Sequence, residues 1–91
     1  MATKALPEQQ TTHYVAEPWN VILLNDEWHT FDEVIIQLMR AINCTLEKAE
    51  AIAWEVHTKG ESLCFTGSKE RGELVASILE EIELKTRLEK A

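Results

Sequence analysis

The run Trp19-Asn20-Val21-Ile22-Leu23-Leu24, together with the three residues that stop it, constrains this chain more than any other stretch. Aromatic and β-branched residues in a short apolar run suit a buried strand. The run halts at Asn25-Asp26-Glu27 without a glycine or proline that would explain a simple turn. Thr30 is then followed by Glu33 at the spacing of a capping box, in which the hydroxyl accepts from the N–H of the third helical residue and the carboxylate accepts from the cap's own N–H. The polar cluster therefore lies between a strand end and a helix start, where a rigid frame can present a binding loop.

The rest of the chain reads as a frame for that loop. Ninety-one residues, 45% of them hydrophobic, suffice for one domain with one core. Residues 1–17, with Pro7, Gln9-Gln10 and Thr11-Thr12, have neither helical nor strand periodicity, and a flexible tail is expected there, with the folded domain spanning 18–91. After the polar loop, Phe31, Val34, Ile35, Leu38 and Ile42 recur at helical spacing and predict a helix to about Ile42, with Asp32, Gln37 and Arg40 on its polar face. Thr45 caps a second helix, Leu46 to about Lys59, with Leu46, Ala49, Ile52, Ala53 and Val56 inward and Gly60 as its left-handed terminator.

Glu61 to Thr66, carrying Leu63, Cys64 and Phe65, reads as a second strand closed by Gly67. Ser68 caps a third helix with Leu74, Val75, Ile78, Leu79 and Ile82 at helical spacing, and Gly72 is a local weakness of about 1 kcal/mol relative to Ala. Beyond Glu83 the alternation of Leu84, Thr86 and Leu88 with Lys85, Arg87 and Glu89 suits an edge strand, although a helix continuing to Lys90 competes with it. The order is β-α-α-β-α-β, an α+β sandwich of three helices over a three-stranded sheet.

Several function classes are disfavoured by the same residues. A net charge of −7 opposes a nucleic-acid partner and favours cationic ligands through the overall field. No apolar run approaches the ~20 residues of a membrane span, no signal core follows Met1-Ala2-Thr3-Lys4, and Cys44 and Cys64 are expected to be reduced in a cytoplasmic protein. His57 ends the second helix, where it either serves the dipole as a favourable charge or faces a ligand. His29 and His57 with Asp26 or Glu27 lack the spacing that marks a zinc site, and neither cysteine has the setting of a nucleophile. No metal, cofactor or enzymatic activity is expected. Trp54 falls beside the apolar stripe of the second helix, as a flanking core residue with its indole N–H kept wet.

The strand V-I-L-L-N-D-E, the amphipathic helix close behind it, and a second helix ending in V-H-x-x-G before a cysteine-bearing strand resemble the ClpS family over Trp19 to about Glu73. ClpS proteins are adaptors that bring N-degron substrates to the Clp AAA+ protease. The resemblance implies a non-enzymatic adaptor that requires no cofactor, and a ligand that is the free N-terminal residue of a protein, typically Leu, Phe, Tyr or Trp. It assigns the α-amino group to Asn25, Asp26, Glu27 and His57: Asn25 and His57 directly, Glu27 as the supporting acid through water. The side-chain pocket falls to Phe31, Val34, Ala53 and Val56, with Leu84 as a candidate to close it. Phe31 and Ala53 stand where the family commonly has Met, His29 where it has Thr, and Thr30 where it has Pro. The implied partners are substrate proteins and a ClpA- or ClpC-like unfoldase engaged by the N-terminal tail, with the adaptor acting as a monomer. The alternative is a protein–protein module of the same fold that has lost amine recognition and docks through its tryptophans.

Overall fold

The first strand is the centre of the sheet. In the computed structural model, which describes residues 17–91, β1 (Trp19–Leu24) is flanked by β2 (Glu61–Gly67) and β3 (Lys85–Lys90), both antiparallel to it. Trp19 lies opposite Gly67 on one side and Lys90 on the other, and Leu24 lies opposite Glu61 and Lys85. The register to β2 shifts between Val21 and Ile22, a bulge that the alternation of the sequence does not reveal. Val21 and Leu23 are fully buried on the face that meets the helices. The opposite face is bridged by Arg87, whose Nη1 and Nη2 each lie 3.2 Å from a Glu61 carboxylate oxygen, a fork that spans the central strand. Half-exposed as it is, this pair contributes little stability.

The helices are α1 (Phe31–Ile42), α2 (Leu46–Lys59) and α3 (Lys69–Glu80), so the order β-α-α-β-α-β holds and the helices cover one face of the sheet. Their starts follow the capping chemistry of the sequence. Thr30 Oγ1 accepts from Glu33 N–H at 3.1 Å while Glu33 Oε1 accepts from Thr30 N–H at 2.8 Å. Thr45 and Ser68 cap α2 and α3 through the N–H groups of Lys48 and Arg71. Gly60 ends α2 at φ 91°, the left-handed region that glycine enters without steric cost. The third strand forms where a continued helix had competed, because α3 stops at Glu80 and a turn through Glu83, at φ 68°, reverses the chain onto β1.

Three expectations need correction. Gln37, assigned to a polar face, is 3% exposed, because α1 packs against both α2 and α3 and its buried stripe is correspondingly wide. Its Nε2 donates to the Ile78 carbonyl at 2.6 Å, near the end of α3 where helical carbonyls need donors. Leu46 is half exposed rather than inward: side chains of a helix lean toward its N-terminus, and in the first turn of α2 that direction leads past the packed surface. Gly72 is more than a weak point of α3. A Cβ there would stand 2.9 Å from Leu88 Cδ1, so its absence lets the helix approach the sheet closely. The tail expected over residues 1–17 falls almost wholly outside the described residues.

Candidate functional site

The site is built where β1 runs out. Leu24 ends the strand, and the N–H of Asn25 donates to the Gly60 carbonyl at 2.9 Å. That carbonyl belongs to the residue terminating α2, so one backbone hydrogen bond ties the start of the polar loop to the helix end that carries Val56 and His57. Asp26 then folds the loop on itself. Its Oδ1 accepts from the N–H groups of Trp28, at 3.1 Å, and His29, at 3.0 Å, the local bonding for which aspartate is favoured in turns. Its Oδ2 lies 2.6 Å from Nδ1 of His29.

Between this loop, α1 and α2 lies a pocket of about 330 Å³. Asn25, Asp26, His29 and His57 supply its polar lining. Its apolar wall comes from Leu23 and Leu24 of β1, Phe31 and Val34 of α1, Ala53 and Val56 of α2, and Leu84. Ala53, Val56 and Leu84 are buried, while Phe31 and Trp54 remain exposed, with their rings edge to face at 6.2 Å between centroids. The Trp54 ring is also 5.8 Å from that of His57. Every residue singled out from the sequence for this site lines the pocket except Glu27, which is exposed on the loop outside it.

Four pocket residues escape the reading of the sequence alone, among them Leu23 and Leu24 at the end of β1. Trp54, expected as a flank of the core, is 60% exposed and lines the pocket. His29 enters the sequence analysis as a metal candidate without the spacing of a zinc site and as a departure from a family pattern, yet its side chain is 2% exposed and bonded on both sides of the ring. The spacing Asp-x-x-His in a loop was the available signal, since a carboxylate that caps a turn can reach the side chain three residues on. Electrostatics follow the geometry. Burial pushes the Asp26 carboxyl up, but hydrogen bonds from the His29 N–H, the His29 ring and the Trp28 N–H outweigh it and leave Asp26 below the ordinary range. Burial likewise pulls His29 down, and the hydrogen bonds to Asp26 and the Ile82 carbonyl, with the Asp26 and Glu33 charges, more than compensate and leave it raised.

Other chemistry finds less support. Among the described residues no group of three or more His, Cys, Asp and Glu side chains is placed to hold a metal ion. Cys44 and Cys64 are both free, and burial pushes the Cys64 thiol up to about 12, so it keeps its proton and its nucleophilicity is suppressed. Among the described residues no helix is long and apolar enough to cross a membrane.

The model of a protein family described as the ATP-dependent Clp protease adaptor protein ClpS matches residues 15–87, most of the chain. The chain belongs to the ClpS family. A ClpS adapter protein of Thermosynechococcus vestitus is 36% identical over 67 residues, 72% of this chain and 71% of that protein. The ClpS adapter protein of Xanthomonas campestris is 38% identical over 61 residues, 65% of this chain and 58% of its own length. Both of these relatives are named as adapter proteins of a protease. In three dimensions, Agrobacterium tumefaciens ClpS2 bound to L-phenylalaninamide superposes with a TM-score of 0.78 at 16% identity, over 82% of this chain and 98% of that one. At that identity the superposition establishes the ClpS fold.

Proposed function

We propose that the pocket binds the free N-terminal residue of substrate proteins, with a preference for Phe, Trp, Tyr and Leu, and that the chain delivers them as a monomeric, non-enzymatic adaptor to a ClpA- or ClpC-like unfoldase in the cytoplasm. The observation that carries this reading is the division of one pocket into a polar end and an apolar wall in a chain of the ClpS family. An N-terminal residue has the same division. Its ammonium offers three donors, and the Asn25 carbonyl oxygen, a neutral His57 nitrogen and a water held by Glu27 can accept them. Glu27 would act from outside the lining, while Asp26 shapes the loop that presents Asn25. The side chain would enter between Phe31, Val34, Ala53 and Val56. The phenylalaninamide in the Agrobacterium ClpS2 structure has this chemistry, an aromatic side chain beside a free amine.

Fluorescence anisotropy with a peptide beginning in Phe and its acetylated twin tests the reading. Acetylation removes the charge and two of the donors, leaving acceptors unmet, and should reduce affinity by about 1–3 kcal/mol or more. Equal affinities would overturn amine recognition. The exposure of Trp28 and Trp54, 60% each, favours a second reading, a module that docks a partner through these rings. That reading is supported if Trp28→Ala and Trp54→Ala abolish unfoldase binding while neither peptide binds the wild type.

A further inference from the structure

His29 lines the pocket but has no part in the reading just given. Its side chain is 2% exposed and the Asp26 side chain against it 9%. Both ring nitrogens face oxygen: Nδ1 lies 2.6 Å from Asp26 Oδ2 and Nε2 lies 2.5 Å from the Ile82 carbonyl. A carbonyl oxygen can only accept, so Nε2 carries a hydrogen. Asp26 already accepts two backbone N–H groups at its other oxygen, an environment that favours the carboxylate, so Nδ1 carries a hydrogen as well. A ring protonated at both nitrogens is an imidazolium. The Trp28 ring, with its centroid 3.8 Å from that of His29, adds an aromatic face that favours a cation.

The two groups bonded by this cation belong to different parts of the fold. Asp26 shapes the loop that presents Asn25, whereas Ile82 lies in the turn after α3, two residues before Leu84. Asn25 and Leu84 line the same pocket. We infer that His29 is a positioning residue: its imidazolium, clasped by the Asp26 carboxylate and the Ile82 carbonyl, holds the Asn25 loop and the Leu84 segment together, so that the pocket is fully assembled only while His29 is charged. The effect on ligand affinity rests on the function proposed above. The clasp does not.

Losing one proton breaks the arrangement. A neutral ring keeps a single N–H, so either the Ile82 carbonyl or the Asp26 carboxylate is left facing a lone pair in a buried setting. The titratable groups around His29 are Asp26 in its own loop, Glu33 in the first turn of α1, the exposed Glu81 and Glu83 on either side of Ile82, and His57 on α2 across the shared pocket. The carboxylates oppose deprotonation, in keeping with the raised pKa of His29. For a group raised on folding, the stabilisation is complete below the unfolded value, about 6.5, and disappears as pH rises through the folded value. The clasp should therefore release on the alkaline side.

Nitrogen-15 spectra of the histidine rings in the full chain test this directly, with the His29 signals identified by their loss in His29→Gln. At about pH 7 both His29 nitrogens should be protonated, and titration upward should convert them while exchange of the Trp28 and His29 amides accelerates. In parallel, the affinity of wild type for a Phe-initiated peptide is divided by that of His29→Gln at each pH, a ratio in which titration of the peptide's own amine cancels. The ratio should be roughly tenfold at about pH 6.5 and shrink as His29 loses its proton. A singly protonated ring at neutral pH, or a ratio independent of pH, would overturn the inference. Asp26→Asn supplies a second check, because it keeps an acceptor for the backbone N–H groups but removes the charge. It should lower the His29 titration point, and an unmoved one is equally fatal. A doubly protonated ring with pH-linked amide exchange, in a protein that binds neither peptide, would leave the clasp standing and overturn the proposed ligand instead.

Discussion

His29 and His57 line one pocket from opposite kinds of wall. His29 belongs to a loop held by its own hydrogen bonds: its ring bonds Asp26 and Ile82, Asp26 caps two N–H groups, and the Asn25 N–H is tied to Gly60. His57 ends α2, is exposed, and makes no side-chain hydrogen bond to another described residue; its nearest aromatic neighbour, Trp54, is exposed as well. The loop wall is wired and the helix wall is open. The difference separates two duties that sequence cannot distinguish when both fall to histidine. A ring with both nitrogens engaged has nothing left for a ligand, whereas a ring with none engaged can accept one.

The largest effect should come from breaking the wired wall. Asp26→Ala strands the buried His29 and two backbone donors, so the protein should lose about 3 kcal/mol of stability, the lower end of the range for removing one partner of a buried pair. Urea unfolding measures it, and a loss below ~0.5 kcal/mol, the level of an ordinary surface substitution, would erase the distinction between the walls.

Next in size are substitutions at the polar end that should touch the ligand alone. Asn25→Ala and His57→Ala should each weaken a Phe-initiated peptide by about 1–3 kcal/mol. His57→Ala should leave the unfolding midpoint nearly unchanged, because little of the fold leans on that ring. If calorimetry instead shows it destabilising the protein as Asp26→Ala does, the helix wall is not open in the sense argued here.

The apolar wall sharpens the comparison further. If the side chain enters as proposed, with Phe31 at the rim and Ala53 setting the depth, N-terminal Ile and Val should bind poorly while Trp and Phe gain relative to Leu, each methylene being worth about 0.8 kcal/mol. Phe31→Ala should admit Ile and Val, and Ala53→Met should penalise Trp more than Leu by filling the buried space. An unchanged Trp-to-Leu affinity ratio in Ala53→Met would mean that the side chain enters elsewhere. The smallest effect concerns the turn beside the clasp. Glu83 sits at φ 68°, where a residue with a Cβ is strained, and Glu83→Gly should stabilise the protein by about 0.5 kcal/mol after the added freedom of the unfolded chain is counted. Thermal unfolding would register it, and a lower melting temperature would contradict it.

The frame was legible because its signals are local. Thr30, Thr45 and Ser68 mark helix starts, Gly60 marks an end, and periodicity separates helix from strand, all within a few residues of chain. The polar cluster after β1 and His57 at the end of α2 could be singled out for the same reason. What escaped depends on residues distant in sequence: Gln37 is buried by α3, Gly72 is explained by Leu88, and His29 is engaged by a carbonyl 53 positions away. The bulge at Val21 likewise belongs to a pairing, not to either strand by itself.

The central place of β1 also governs when the pocket can exist. The strand that leads into the pocket loop is made first, yet one of its neighbours is not complete until Gly67 and the other until Lys90. Leu84 immediately precedes that last strand, and Ile82 lies just before it. During synthesis, then, the Asn25-Asp26 loop emerges long before the residues that hold it, and β1 keeps an unpaired edge until position 90 has been added. Such pairing over long sequence separation is entropically costly until it is finished. Competence to hold a ligand should arrive in one late step, not grow as the chain lengthens.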